Sequence, residues 1–181
     1  MQPHGHWTHH RRAYRVVRGA IPERCRSALD VGCAEGALTR RLSATVAEVT
    51  GVDPDEATIA AARSHRGSAG ISYLVGDVLT VALVPGSFDL VTAVASLHHM
   101  DVERALGRLR DLVAPSGVLV VVERATPGRH DHTHRHAQGD PGAARPPRPD
   151  VDLRRAASDL GAEFRQHRFG YSSLVWHKVV D

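Results

Sequence analysis

Asp30-Val31-Gly32-Cys33-Ala34-Glu35-Gly36 is the stretch that decides the fold. Just before it, Ser27-Ala28-Leu29 opens a short apolar run that reads as a strand over 27–32. Just after it, Ala37 to Leu42 places Leu38 and Leu42 four residues apart, on one face of a helix. A strand ending in glycine, a tight turn and a helix is the opening of a βαβ unit, in which Gly32 and Gly36 let the backbone approach a ligand closely. The helix's partly positive N-terminus points into the same crevice.

Working outward, Glu48-Val49-Thr50-Gly51-Val52-Asp53 reads as a second strand, followed by Pro54 at a helix start and by alanine-rich 56–63. Ile71 to Val75 is a third strand with Gly76-Asp77 at its tip, and Phe88 to Ala95 a fourth, apolar enough to be buried on both faces. A helix from about Val102 to Val113 is stopped by Ala114-Pro115-Ser116-Gly117, and Val118 to Val122 is a fifth strand. Strands alternating with helices predict an α/β, doubly wound, mostly parallel sheet. Further on, Asp152 to Leu160 reads as a helix stopped by Gly161, with 162–169 and Tyr171 to Val180 forming a hairpin around Gly170. Tyr14, Val17 and Ala20 carry helical spacing through Trp7 to Ile21. The expected organisation is an N-terminal helical cap at 1–26 and a single domain at 27–181, with a flexible loop at 124–150 where prolines, glycines and histidines replace apolar residues.

The chain's 181 residues, 42% hydrophobic and 24% charged, describe one water-soluble globular domain. No run approaches the roughly 20 apolar residues of a membrane span, and no leader-like segment opens the chain, so no membrane partner and a cytoplasmic location are expected. Cys25 and Cys33 cannot build a disulfide framework. Twenty-three basic residues against 20 acidic, spread along the chain without interleaved aromatics, disfavour a nucleic-acid partner. A small-molecule substrate and a monomer or homodimer are the expectation.

Ligands of open parallel sheets bind at the carboxyl ends of the strands. There, Asp53 can accept from both hydroxyls of a ribose, and Asp77 from the exocyclic amine of an adenine. A nicotinamide dinucleotide would call for G-x-G-x-x-G, which is missing, and carboxylates at 30 and 35 repel a pyrophosphate and suit a cation. His130, His132, His134 and His136 alternate in a way that could seize zinc. The preferred reading of them, and of His4, His6, His9 and His10, is a solvated segment without a task, and no metal is expected.

The stretch 30–36, Gly51-Val52-Asp53, Gly76-Asp77, Phe88-Asp89-Leu90-Val91, Leu97-His98-His99 and Leu112-Val113-Ala114-Pro115-Ser116-Gly117-Val118-Leu119 follow one another in the order of class I S-adenosylmethionine-dependent methyltransferases. Over 27–123 the chain resembles that family, and 162–180 is similar to its sixth and seventh strands. Tyr171-Ser172-Ser173-Leu174-Val175-Trp176-His177 also resembles the ends of short actinobacterial members. The resemblance implies a seven-stranded sheet with one reversed strand and S-adenosyl-L-methionine as cofactor, leaving S-adenosyl-L-homocysteine. It places Asp30, Gly32 and Gly36, with Cys33 and Ala34 in the same turn, on the methionine part. Asp53 and Pro54 fall at the ribose, Asp77 at the adenine edge and Val78 against the ring. Ala95 and Ser96 line the route to the sulfonium, while Tyr14, Leu97 and Met100 face the acceptor. His98 or His99 would serve as base.

Two departures are Ala34, where the family often has a third glycine, and Pro-Ser-Gly for the commoner Pro-Gly-Gly before the fifth strand. After the fourth strand, Ser96-Leu97-His98-His99 lacks the Asn or Asp followed by Pro-Pro and an aromatic that marks methylation of nucleobase or amide nitrogen. Glu123 reads as standing alone, without the converging carboxylates that metal-dependent catechol methylation needs. The expectation is metal-independent O- or N-methylation of a small molecule in secondary metabolism. The rivals are an RNA or protein methyltransferase and a cofactor-binding protein that transfers no methyl.

Overall fold

A computed structural model describes residues 5–65, 69–124, 152–167 and 170–179. In chain order the elements are α1 (Gly5–Ala20), β1 (Ser27–Val31), α2 (Ala37–Leu42), β2 (Glu48–Asp53), α3 (Glu56–Ser64) and β3 (Ile71–Val75). β4 (Phe88–Val94), a short 3₁₀ turn (Leu97–His99), α4 (Val102–Leu112), β5 (Val113–Arg124), α5 (Leu153–Leu160), β6 (Glu163–His167) and β7 (Tyr171–His177) follow. The described strands form one sheet in the order β3-β2-β1-β4-β5-β7-β6. Pairing is parallel from β3 through β5, while β7 runs antiparallel to both β5 and β6. β7 is therefore the one reversed strand of the described sheet.

Side-chain alternation builds a layer on each face. Leu29, Val31, Val91, Ala93, Leu119 and Val121 join Leu106 and Leu109 of α4 and Ala157 of α5 in one core. Their strand neighbours Ala28, Leu90, Val118, Val120 and Val122 join Ala13 and Val17 of α1 and Leu42 of α2 in the other. Thus α1 buries its apolar stripe against the sheet. Asp55, Asp101 and Asp152 cap α3, α4 and α5 by accepting the backbone N–H of Thr58, Arg104 and Arg155 at 3.0, 3.1 and 3.0 Å.

The structure departs from the sequence reading at two crossovers. No helix joins β3 to β4; residues 76–87 run as turns, which suits their β-branched residues and the Pro85-Gly86 pair. This segment is tied to α4. Arg108 donates from its guanidinium to the carbonyls of Val78, Val81 and Leu83 at 3.4, 3.3 and 3.1 Å, and the Gly86 N–H donates to the Asp111 carbonyl at 2.7 Å.

β5 also begins at Val113, earlier than the proline and glycine implied. Val113 pairs with Phe88, then pairing resumes at Leu90 with Val118, and the residues between bulge out. A Cβ on Gly117 would lie 2.8 Å from the Val113 side chain and 2.9 Å from the carbonyls of Ala114 and Asp89, so glycine is required there. Ser116, at φ 62°, carries the left-handed conformation instead. Relief of that strain exceeds the entropy glycine adds to the unfolded chain, so Ser116→Gly should raise stability by about 0.5–1 kcal/mol in urea unfolding.

Of the loop expected at 124–150, Arg124 instead closes β5, and 125–150, with the alternating histidines, lie outside the described residues, as do His4 and the side chains of His6, His9 and His10. No described helix is long and apolar enough to cross a membrane.

Candidate cofactor and active site

The carboxyl ends of β1, β2 and β4 converge on the turn that opens the motif. The N–H groups of Gly32 and Cys33 donate to the Val52 carbonyl at 2.8 and 3.1 Å, which ties the turn to β2. Gly32, Ala34 and Gly36 take left-handed φ values of 67°, 47° and 74°. The glycines also answer to packing within the protein. A Cβ on Gly32 would collide with the Cβ of Ser96, and one on Gly36 with the Tyr73 hydroxyl.

Beside this turn opens a cleft of about 350 Å³, counting its mouth. Val31, Gly32 and Val52 line it from the ends of β1 and β2, Pro54, Gly76, Asp77 and Val78 from the segments after β2 and β3, and His99 and Met100 from the turn after β4. The structure thus brings together Gly32, Pro54, Asp77, Val78, His99 and Met100 from the sequence reading. Asp53 stands at the rim: its Oδ2 accepts the Ala34 N–H and its Oδ1 the Asp55 N–H, both at 3.0 Å. Each oxygen keeps a second lone pair, so a pair of ribose hydroxyls can still be accepted. Asp77 Oδ1 accepts the Leu79 N–H at 2.9 Å, and its exposed carboxylate remains able to take an exocyclic amine.

Other predicted residues fall elsewhere. Asp30 is 2% exposed and lies beneath the turn, not on the cleft. Its Oδ2 accepts from Thr39 Oγ1 at 2.7 Å, and its Oδ1 lies 3.1 Å from Thr92 Oγ1. Burial pushes its carboxyl up to about 6, against the downward pull of the two threonines. Leu97, expected at the acceptor, is fully buried in the core under α4, because the 3₁₀ turn directs it inward. Tyr14 lies along the α1–α2 contact with the Arg41 guanidinium 5.3 Å from its ring centroid, and is not a lining residue. The Cys33 side chain packs with Tyr73, Ile59 and Ala62, where burial pushes its thiol up. Ala95 is exposed at the tip of β4 with φ 54°, and Ser96 is buried behind Gly32.

Glu123, which the sequence reading considered only as a carboxylate without carboxylate neighbours, has partners of another kind. Its carboxylate, 3% exposed, accepts the Leu97 N–H on Oε1 at 2.7 Å and meets His98 Nδ1 on Oε2 at 3.0 Å. His98 retains 20% exposure, and its ring lies 4.1 Å from that of His99. A signal was present. Glu123 is a charge closing the apolar run 118–122, on the face shared by Leu119 and Val121, and β4–β5 register puts that strand end beside the turn after β4.

A doubly wound sheet with one reversed strand and a cleft at the carboxyl ends of its central strands defines the Rossmann-like class I methyltransferase fold. A family model described as a methyltransferase domain matches residues 29–121, and the chain belongs to that family. An uncharacterized methyltransferase of Mycobacterium tuberculosis is 40% identical over 113 residues, covering 62% of this chain and 57% of that protein. A ubiquinone biosynthesis O-methyltransferase of Azorhizobium caulinodans is 33% identical over 119 residues, covering 64% of this chain and 45% of that one. Among solved structures, an S-adenosylmethionine-dependent methyltransferase from Mesorhizobium loti aligns with TM-score 0.55 and 28% identity, over 61% of this chain and 52% of that one. The chain spans about half the length of these curated relatives.

S-adenosylmethionine is the cofactor this membership implies, and the residues present fit it. Ser96 Oγ is buried without a hydrogen-bond partner, packed against Gly32 where a Cβ would otherwise fall. An orphaned hydroxyl costs about 1–3 kcal/mol until something polar satisfies it. Asp53 and Asp77 bring negative charge to the same cleft, which suits a cationic sulfonium ligand.

Proposed function

We propose that this chain methylates a small molecule on oxygen or nitrogen, without a metal, as a step in secondary metabolism. The observation that carries the reading is the cleft itself, with a ribose acceptor, Asp53, at the end of β2, an amine acceptor, Asp77, after β3, and the apolar Pro54 and Val78 next to them. S-adenosylmethionine supplies an electrophilic methyl group held on a sulfonium. Asp53 would hold the ribose, Asp77 the adenine amine, and Val78 and Pro54 the ring faces, while Gly32 receives the methionine end with Ser96 packed behind it. Ala95 and Met100 flank the way to the methyl. His98 would take the acceptor's proton, since orientation and proton removal are what a transfer of this kind asks of the protein. Residues 27–181 form the catalytic unit in this reading, with α1 supporting the sheet beneath it.

A small acceptor accords with the relative whose name gives ubiquinone biosynthesis. The nearly even balance of 23 basic and 20 acidic residues gives no support to an RNA acceptor. Calorimetric titration with S-adenosylmethionine and S-adenosylhomocysteine tests the proposal. The native chain should bind both, and Asp53→Ala should bind at least tenfold more weakly, because two charge-assisted bonds are lost. A folded chain that binds neither ligand would remove it.

A further inference from the structure

We propose that Glu123 is the positioning residue that fixes His98 as a one-sided base, and that the acceptor atom is accordingly a hydroxyl oxygen of a phenol or enol. This rests on the methyltransferase reading above. An ionised carboxylate only accepts hydrogen bonds, so the proton of a neutral His98 must sit on Nδ1, 3.0 Å from Oε2. Nε2 then holds the lone pair. The second carboxylate oxygen takes the Leu97 N–H at 2.7 Å, and the Leu97 side chain is fully buried. One buried group therefore anchors both the ring and the backbone that carries it. His99, by contrast, turns toward the cofactor cleft beside Met100.

A base held this way matters most to an acceptor that attacks poorly while it keeps its proton. A neutral amine attacks with its own lone pair and sheds a proton afterwards to water. A hydroxyl must lose its proton as it attacks. The acceptor oxygen forms its bond to the methyl carbon and passes its proton to Nε2, while the S–CH₃ electron pair stays on sulfur as the departing neutral thioether. Glu123 then faces the imidazolium that results and stabilises it, the service a carboxylate renders a histidine in hydrolase triads.

The first test needs no acceptor and no variant. Nitrogen NMR of the full chain carrying ¹⁵N-labelled histidine should show the Nδ1–H tautomer for His98, and the Nε2–H tautomer would overturn the proposal. Glu123→Gln has a single acceptor oxygen for two donors, so it should disturb that tautomer while S-adenosylmethionine affinity stays within about twofold. An unchanged tautomer in this variant counts against the proposal.

Matched phenols and anilines with labelled methyl donor then read the acceptor. Transfer should go to phenols, falling about 100-fold in Glu123→Gln and in His98→Ala, with the double variant no worse than His98→Ala. Transfer to anilines alone, or to no phenol, overturns the hydroxyl assignment. Failure of the native chain to bind the cofactor would instead strike at the methyltransferase reading, which separates the two.

Discussion

Gly32→Ala is expected to destabilise the protein by about 3 kcal/mol and to abolish cofactor binding. Two costs add. At φ 67° an alanine pays about 1–2 kcal/mol for the left-handed conformation. Its Cβ would also overlap the Cβ of Ser96 and sit 3.2 Å from the Ser96 Oγ, an overpacking worth about 1–3 kcal/mol. Ser96 cannot simply yield, since its carbonyl accepts the His99 N–H at 3.1 Å and the next residue's N–H is held by Glu123. Displacing it would carry the His98 turn along. Urea unfolding and calorimetry read the two effects, with Gly86→Ala as control: that glycine has φ 68° but open space around its Cβ position, so only the backbone cost of about 1–2 kcal/mol applies. Equal losses in the two variants would show that Ser96 does not confine the turn.

Asp30 should make the protein lose stability as pH rises through the mildly acidic range. Its carboxyl titrates near 6 in the folded chain against 3.8 ordinarily, so the folded state binds the proton more tightly. Below the unfolded value both states are protonated and nothing is lost. Between 3.8 and about 6 the unfolded chain ionises first, and unfolding becomes easier by up to about 3 kcal/mol by neutral pH. The hydrogen bonds that Thr39 and Thr92 donate favour the ionised form and oppose this, and burial outweighs them. Thr92 Oγ1 lies 3.2 Å from the Leu29 carbonyl and 3.1 Å from Asp30 Oδ1, so its one proton is shared and its pull on Asp30 is weakened. Asp30→Asn keeps the side chain's shape and an acceptor oxygen without titrating. Its unfolding free energy should be flat where the native chain's falls, and the difference between the two, measured from pH 4 to 7.5, isolates this group. Parallel profiles would show that Asp30 is already ionised at its site.

What the sequence made legible follows from how local each signal is. β1, α2, β2 and β3 lie where glycine, proline and apolar periodicity put them, because each boundary is set by residues next to it. Leu97 misled because motif position says nothing of side-chain direction; the turn after β4 throws it into the core while its neighbours stay outside. Asp30 misled for a related reason. Alternation along β1 aims it at Thr39 and Thr92, and a carboxylate two residues before a ligand-facing glycine turn looks the same in a sequence whichever way it points. Glu123 was undervalued because its partner comes from a different strand end, 25 residues earlier in the chain. Register between β4 and β5 makes that pair, and register is fixed only when the sheet assembles. The β3–β4 crossover could not be read as helix-free without Arg108, whose three carbonyl partners substitute for a helix's own bonds.

That clasp has a mechanical consequence. The wall holding Asp77 and Val78 hangs from Arg108, and the wall holding His99 and Met100 runs straight into the start of the same helix at Val102. Both jaws are mounted on one bar, so the gap between them is gauged by the fixed rise of α4 between Val102 and Arg108. A ligand that pried them apart would have to strip the guanidinium from its carbonyls or unwind the bar itself. The aperture is machined into the rigid part of the molecule, and an irregular segment of backbone inherits the tolerance of a helix.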